Sequence, residues 1–264
     1  MADKNAAPTR KIEGQKTLLN RTVHGFAYDA IHDEMVANSN IGQAILTFRG
    51  KATGDEAPIR IIQGPKTQLR DPERLAVDPV HDEIFVMNMS ILDTVLVFDR
   101  TAQGDVAPKR VLKGPDTLLG VRSGPAVDPV NNLLIVGGRV GGGQGGVRLL
   151  IFDRTAEGNT RPKAVIGGPK SGLHEVGQIA VYPPTGKILV NVGGPGDDLA
   201  SDESFTGVWS IHDNGDVPPR WTIGGPKGML RQPRGLTLDP KNKTVIMSDK
   251  YLNGVLTYFL PEIF

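Results

Sequence analysis

The 264-residue chain has no cysteine. Disulfides, thiolate metal sites and cysteine nucleophiles are therefore excluded. Tryptophan is almost absent, with Trp209 and Trp221 the two copies. Strand tryptophans are usually packed core, so these two make a poor sugar-stacking platform. Neither sign of charge is in excess: 30 Lys and Arg face 29 Asp and Glu, for a net charge of +1. That balance argues against a dedicated nucleic-acid binder or a polybasic membrane binder. No apolar run reaches the roughly 18–20 residues that span a bilayer. The opening MADKNAAPTRKIEG lacks the apolar centre of a signal peptide. Two compartments fit this start. The protein is cytoplasmic if Met1 is native, and periplasmic or secreted if Ala2 begins a chain whose signal peptide was removed. Sustained 3.6-residue periodicity is also missing. So are a P-loop, HExxH and GxSxG.

Glycine (33) and proline (20) are abundant, as expected of an all-β chain with many turns. Self-comparison explains why. GQKTLL begins at Gly14, GPKTQL at Gly64, GPDTLL at Gly114, GPKSGL at Gly168 and GPKGML at Gly225. A second marker follows each: AYDAIHDE, AVDPVHDE, AVDPVNNL, AVYPPTGK and TLDPKNKT. Five units of about fifty residues result, the signature of a repeat architecture. The fifth unit reaches GVLTYFL without the APxRxIxG segment that ends the others. A copy of that segment stands at the opposite terminus, from Ala7 to Gly14. A repeat split between the termini points to a closed ring, since an open solenoid needs capping repeats.

Each unit reads as four short strands separated by Pro, Gly, Asp and Asn turns. In the second unit they fall at 74–77, 83–87, 94–99 and 109–113. The expected fold is all-β: a five-bladed β-propeller with four antiparallel strands per blade, the last blade closed by the N-terminal strand. One domain is expected over residues 1–264. Its blades run approximately 15–64, 65–114, 115–168 and 169–225, with 226–264 plus 7–14 as the fifth.

The segments Leu69-Arg70-Asp71-Pro72, Leu75-Ala76-Val77-Asp78-Pro79, Glu83-Ile84-Phe85-Val86 and Val95-Leu96-Val97-Phe98 resemble the NHL-repeat propellers, along essentially the whole chain. Those rings usually have six blades, and five units are recognisable here. The resemblance implies either a ligand or protein binder or, through a related group, a metal-dependent lactonase of the gluconolactonase type. In the lactonase-like propellers a Glu, Asn and Asp set holds a divalent ion. Here that implies Glu73, Asn88 or Asn191, and Asp249.

Function is expected where the repeat varies, because structural residues recur from blade to blade. Before the inner strand the variable stations are Arg21, Arg70, Gly120, His174 and Arg231. Three residues on are His24, Glu73, Ser123, Gly177 and Arg234, followed by Gly25, Arg74, Gly124, Gln178 and Gly235. Two chemistries can be read there. Arg21, Arg70, Arg74, Arg231 and Arg234, with His24 and His174, suit carboxylate or phosphate. The bland alternative pairs these arginines with Asp71, Glu73 and Glu175. Asn38, Asn88, Asn191 and Asp249, at equivalent strand ends with Glu73 close by, offer oxygens suited to calcium or magnesium. They are equally ordinary turn formers.

Two insertions, 137–146 and 193–204, fall on the same face and suggest a binding wall. The acidic residues Asp197, Asp198, Asp202 and Glu203 lack the spacing of an EF-hand loop. Gly141, Gly143 and Gly146 match GxGxxG, but the run that follows reads as a strand, not the helix a dinucleotide site needs. The recurring DRTAxGDxAP loops read as turn chemistry.

The expected function is a non-catalytic binder of a small anionic ligand or a protein partner, with no nucleic acid and no membrane span. The alternatives are the metal-dependent hydrolase and a structural assembly subunit. Fold alone does not choose among them.

Overall fold

A computed structural model describes residues 7–21, 23–88, 93–120, 123–139, 146–194 and 201–264. Asp197, Asp198, Gly141 and Gly143 lie outside them. Five antiparallel meanders follow one another in chain order. Blade one holds β1 (Phe26–Asp29), β2 (Glu34–Ser39), β3 (Ala44–Arg49) and β4 (Arg60–Gln63). Blade two holds β5 (Pro72–Asp78), β6 (Glu83–Asn88), β7 (Thr94–Asp99) and β8 (Arg110–Leu112). Blade three holds β9 (Ala126–Asp128), β10 (Leu133–Arg139), β11 (Val147–Asp153) and β12 (Ala164–Ile166). Blade four holds β13 (Glu175–Tyr182), β14 (Lys187–Gly193), β15 (Phe205–Ser210) and β16 (Trp221–Gly224). Blade five holds β17 (Pro233–Asp239), β18 (Thr244–Asp249) and β19 (Gly254–Phe259). The fold is a five-bladed β-propeller, and no helix among the described residues is long and apolar enough to cross a membrane.

The turns explain the repeat motifs. In blades one, two, three and five the innermost strand ends in an aspartate that closes the next turn, while β13 of blade four ends in Tyr182. Asp78 Oδ1 accepts from the backbone N–H groups of Val80 and His81, and its Oδ2 lies 2.8 Å from His81 Nδ1. Asp29 does the same with Ile31 and His32. The last turn residue, Asp33, Asp82, Asn132 or Lys243, takes a left-handed φ of 53–56°. Asp and Asn tolerate that conformation well. In the GPKT turns the Thr67 hydroxyl donates to Gly64 O at 2.6 Å. Asp105, from the GD pair of the next blade's outer loop, accepts from Lys66 N at 2.7 Å. The same bond joins Asp55 to Lys16 and Asp216 to Lys170.

Packing between blades builds the core. Val36, Ile45 and Ile62 of blade one meet Leu75, Ile84 and Phe98 of blade two. Similar apolar layers join blades two and three, three and four, and four and five.

The expected closure by the N-terminal strand is not shown. The fifth sheet has three strands, and residues 7–14 do not extend it. Ile12 makes a parallel bridge to Gly54, the relation that Ile62 has to Gly104 and Leu112 to Gly158. The segment therefore sits against blade one as an outer strand sits against the blade that follows it. The split repeat holds its station at that end while β19 keeps a free edge.

Candidate functional site

A cavity of about 1100 Å³ opens at the channel mouth, between the inner strands of blades one and five. Its polar lining is His24, Glu73, Arg74, Glu175, Gln178, Arg234, Thr237, Ser248 and Lys250. Its apolar lining is Val23, Phe26, Ala27, Tyr28, Leu236 and Leu238. A smaller space of about 410 Å³ adjoins it through the shared residues Arg234, Ser248 and Lys250.

Irregular strand ends aim the polar groups. The register of β5 skips between Pro72 and Arg74, leaving Glu73 as an extra residue. β17 skips between Pro233 and Gly235 and frees Arg234. β13 shifts between Val176 and Ile179, around Gly177 and Gln178. A bulge of this kind turns a side chain out of the ladder. Asparagines of the preceding blade hold two of these bulges. Asn38 Nδ2 donates to Pro72 O and to Glu73 O, and Asn191 Nδ2 donates to Gly235 O at 3.2 Å.

Two long side chains span the channel because their counterparts are glycines. Arg74 Nη1 donates to Gln178 Oε1 at 3.2 Å across the ring. A Cβ on Gly124 would lie 2.7 Å from that same oxygen, and one on Gly25 would lie 3.0 Å from Arg74 Cα. Either would crowd the pair.

The charges do not cancel evenly. Arg234 Nη1 lies 3.5 Å from Glu175 Oε1, and Glu73 Oε1 lies 3.4 Å from His24 Nδ1. Arg74 has no carboxylate of the described residues within ion-pair distance, and its buried Nε has no hydrogen-bond partner. Burial pulls its guanidinium below the ordinary value. Glu73 and Glu175 act against that shift, and the neighbouring Arg234 acts with it. Arginine stays ionised in any case.

Of the nine candidate ligand contacts, the structure brings His24, Glu73, Arg74, Gln178 and Arg234 to the cavity. Arg21, Arg70 and His174 are exposed and line neither space. Arg231 turns away to pair with Asp202 of the blade-four insertion. Phe26, Tyr28 and Lys250 were not anticipated. The first two read as ordinary strand residues, and their exposure depends on how blade one meets blade five.

The candidate metal donors are dispersed and engaged. Glu73 lines the larger cavity, Asp249 the smaller one, and Asn88 and Asn191 neither. Asp249 accepts four backbone N–H groups, from Arg231, Gln232, Tyr251 and Leu252. Asn88 Oδ1 accepts from Arg70 N and its Nδ2 donates to Gln68 O. Asn191 Oδ1 accepts from the Thr206 hydroxyl. These groups fit a loop-stapling role and do not fit a divalent ion. No group of three His, Cys, Asp or Glu converges among the described residues.

No family model and no curated protein matches the sequence. Among solved structures, the chain is similar to Kuenenia stuttgartiensis hydrazine synthase at a TM-score of 0.56 and 12% identity. The alignment covers 87% of this chain and 56% of that one, so this chain spans little more than half its length. At that identity the likeness concerns the propeller fold alone.

Proposed function

We propose that the chain is a non-catalytic binding propeller that holds a small anionic ligand at its channel mouth. One observation carries this reading: Arg74, a permanent cation, lies across the channel with a neutral glutamine as its partner and no carboxylate of the described residues within ion-pair distance, Glu73 and Glu175 acting on it from farther off. A partly desolvated charge with no counter-charge in contact is costly, and a bound anion reduces that cost. Arg234 and Lys250 line the same cavity. The Arg74 fork suits a carboxylate or a phosphate.

The lactonase reading has less support, because the oxygens of Asp249, Asn88 and Asn191 are already taken by backbone and hydroxyl donors. Isothermal titration with acetate, succinate and phosphate tests the proposal. Saturable binding of at least one, abolished in Arg74→Gln and retained in Arg49→Gln, is the expected result. Arg49 pairs with Glu56 outside the cavity. Binding equal in wild type and Arg74→Gln would overturn it.

A further inference from the structure

The cavity is far larger than an inorganic anion, and its walls are not uniformly polar. Its volume lies at the upper end for sites that enclose organic molecules. The arginines stand at the channel. Apolar surface comes from Phe26, Ala27 and Tyr28 of β1 and from Leu236 and Leu238 of β17. Its most unusual member is Phe26. In the other blades this inner-strand station is covered by the preceding blade: Leu75 is 4% exposed, Ile179 2% and Leu236 9%. Phe26 is 60% exposed, and Tyr28, two residues on along the same face of β1, is 54% exposed. The repeat thus places an exposed aromatic ring at Phe26 where other copies bury Leu75, Ile179 and Leu236, and a second at Tyr28, where the equivalent Val77, Val127, Val181 and Leu238 are half-buried. The gap between blades one and five leaves both rings facing the space that Arg74 enters.

We infer that the ligand is an organic anion with an apolar, ring-sized body. Its carboxylate meets Arg74 and Arg234, and its body lies against Phe26 and Tyr28. This rests on the anion reading above and names the ligand class for that same site. The guanidinium groups of Arg74 and Arg234 and the apolar side chains of the same cavity are complementary to the two parts of such a molecule. An aromatic or branched body also makes edge or face contacts with the two rings. Neutral aromatic molecules lack the group that Arg74 requires, and small hydrophilic anions leave the apolar side chains wet.

Calorimetric titration with 3-phenylpropionate, propionate and 3-phenylpropanamide tests the inference. Phenylpropionate is expected to bind about tenfold to a hundredfold tighter than propionate, the gain from burying one ring. The amide is expected to bind at least about tenfold more weakly than the acid, since it lacks the charge-assisted pair. In Phe26→Ser the preference for phenylpropionate over propionate is expected to shrink while propionate binding is kept. In Arg74→Gln both acids are expected to be lost. Phe26 is mostly solvent-exposed, so its replacement leaves the fold intact, which thermal unfolding checks. Equal affinity for the two acids overturns the inference and leaves the anion reading standing. Failure of both acids overturns the inference; if acetate, succinate and phosphate fail as well, or if acid and amide bind equally, the anion reading falls with it.

Discussion

The seam between blades two and three and the seam between blades five and one are built from the same repeat and differ at a few side chains. At the first, Glu83 is buried and meets three cations. Arg110 makes a two-pronged bond at 2.7 and 2.8 Å, Lys109 lies at 3.1 Å, and Arg154 reaches over from the next blade. The seam between blades one and two repeats this with Glu34, Arg60 and Arg100. Between blades three and four the equivalent stations hold Leu133 and Ile211, which join an apolar cluster. Between blades five and one they hold Thr244 and Gly50, which supply neither an ion pair nor apolar bulk. There β1 and β17 face each other across the cavity. A repeat fixes where neighbouring blades meet, and individual side chains decide whether the meeting is locked. In this propeller the unlocked seam is the one that opens onto the candidate site.

Breaking the locked seam should give the largest effect. Glu83→Ala leaves Arg110 and the buried Arg154 facing one another without their carboxylate. A loss of about 3–5 kcal/mol is expected, the usual result of orphaning one side of a buried pair. Urea unfolding measures it, and a change under about 1 kcal/mol would deny the clamp its role.

The apolar seam should be somewhat less sensitive. Leu133→Ala is expected to cost about 2–3 kcal/mol by emptying part of that cluster. A second comparison sharpens the point: Leu133→Glu combined with Ile211→Arg should recover stability lost in Leu133→Glu alone, because the pair recreates the lock. No recovery would mean that the two stations are not equivalent.

Acid should weaken the charged seam selectively. Burial works to raise the Glu83 carboxyl, but hydrogen bonds from Arg110 and Lys109 and the nearby charges hold it down, from an ordinary 4.5 to about 2. A carboxylate depressed by folding contributes fully above its unfolded value and loses that contribution as pH falls through its folded value. The stability gap between wild type and Glu83→Gln should therefore be constant above pH 4.5 and shrink steadily toward pH 2. A gap independent of pH over that window would contradict the assignment.

The smallest effect belongs to the open seam. Phe26→Ser should change stability by no more than about 0.5 kcal/mol, as for other exposed positions. Leu75→Ala, at the same station of a covered blade, should cost about 2–4 kcal/mol. Equal costs at the two positions would show that the seam is shut in solution.

Much of this architecture could be read from the chain. The GPKT and AVDP markers recur because each serves a turn that every blade must make. Strands expected at 83–87 and 94–99 stand at Glu83–Asn88 and Thr94–Asp99. The DRTA motif was read as turn chemistry alone. Its arginines, Arg100 and Arg154, are also inter-blade clamps, and their partners lie 66 and 71 residues away. No local pattern signals such a distance. At the site, Arg74 and Gln178 stood out because they replace glycine at a repeated station. The hydrogen bonds by which Asn88 and Asn191 staple a loop and a bulge were not legible, because they appear once the strands are paired. Phe26 and Tyr28 escaped notice because apolar residues on a strand look alike whether or not a neighbouring blade covers them.

The most direct measurement is the side-chain Nε–H signal of Arg74, followed by nitrogen-15 NMR during titration with 3-phenylpropionate. The account predicts a saturable shift at Arg74, with a smaller one at Arg234 and none at Arg49. An Arg74 signal that stays in place while the ligand binds elsewhere, or a signal that no organic anion moves, would contradict it.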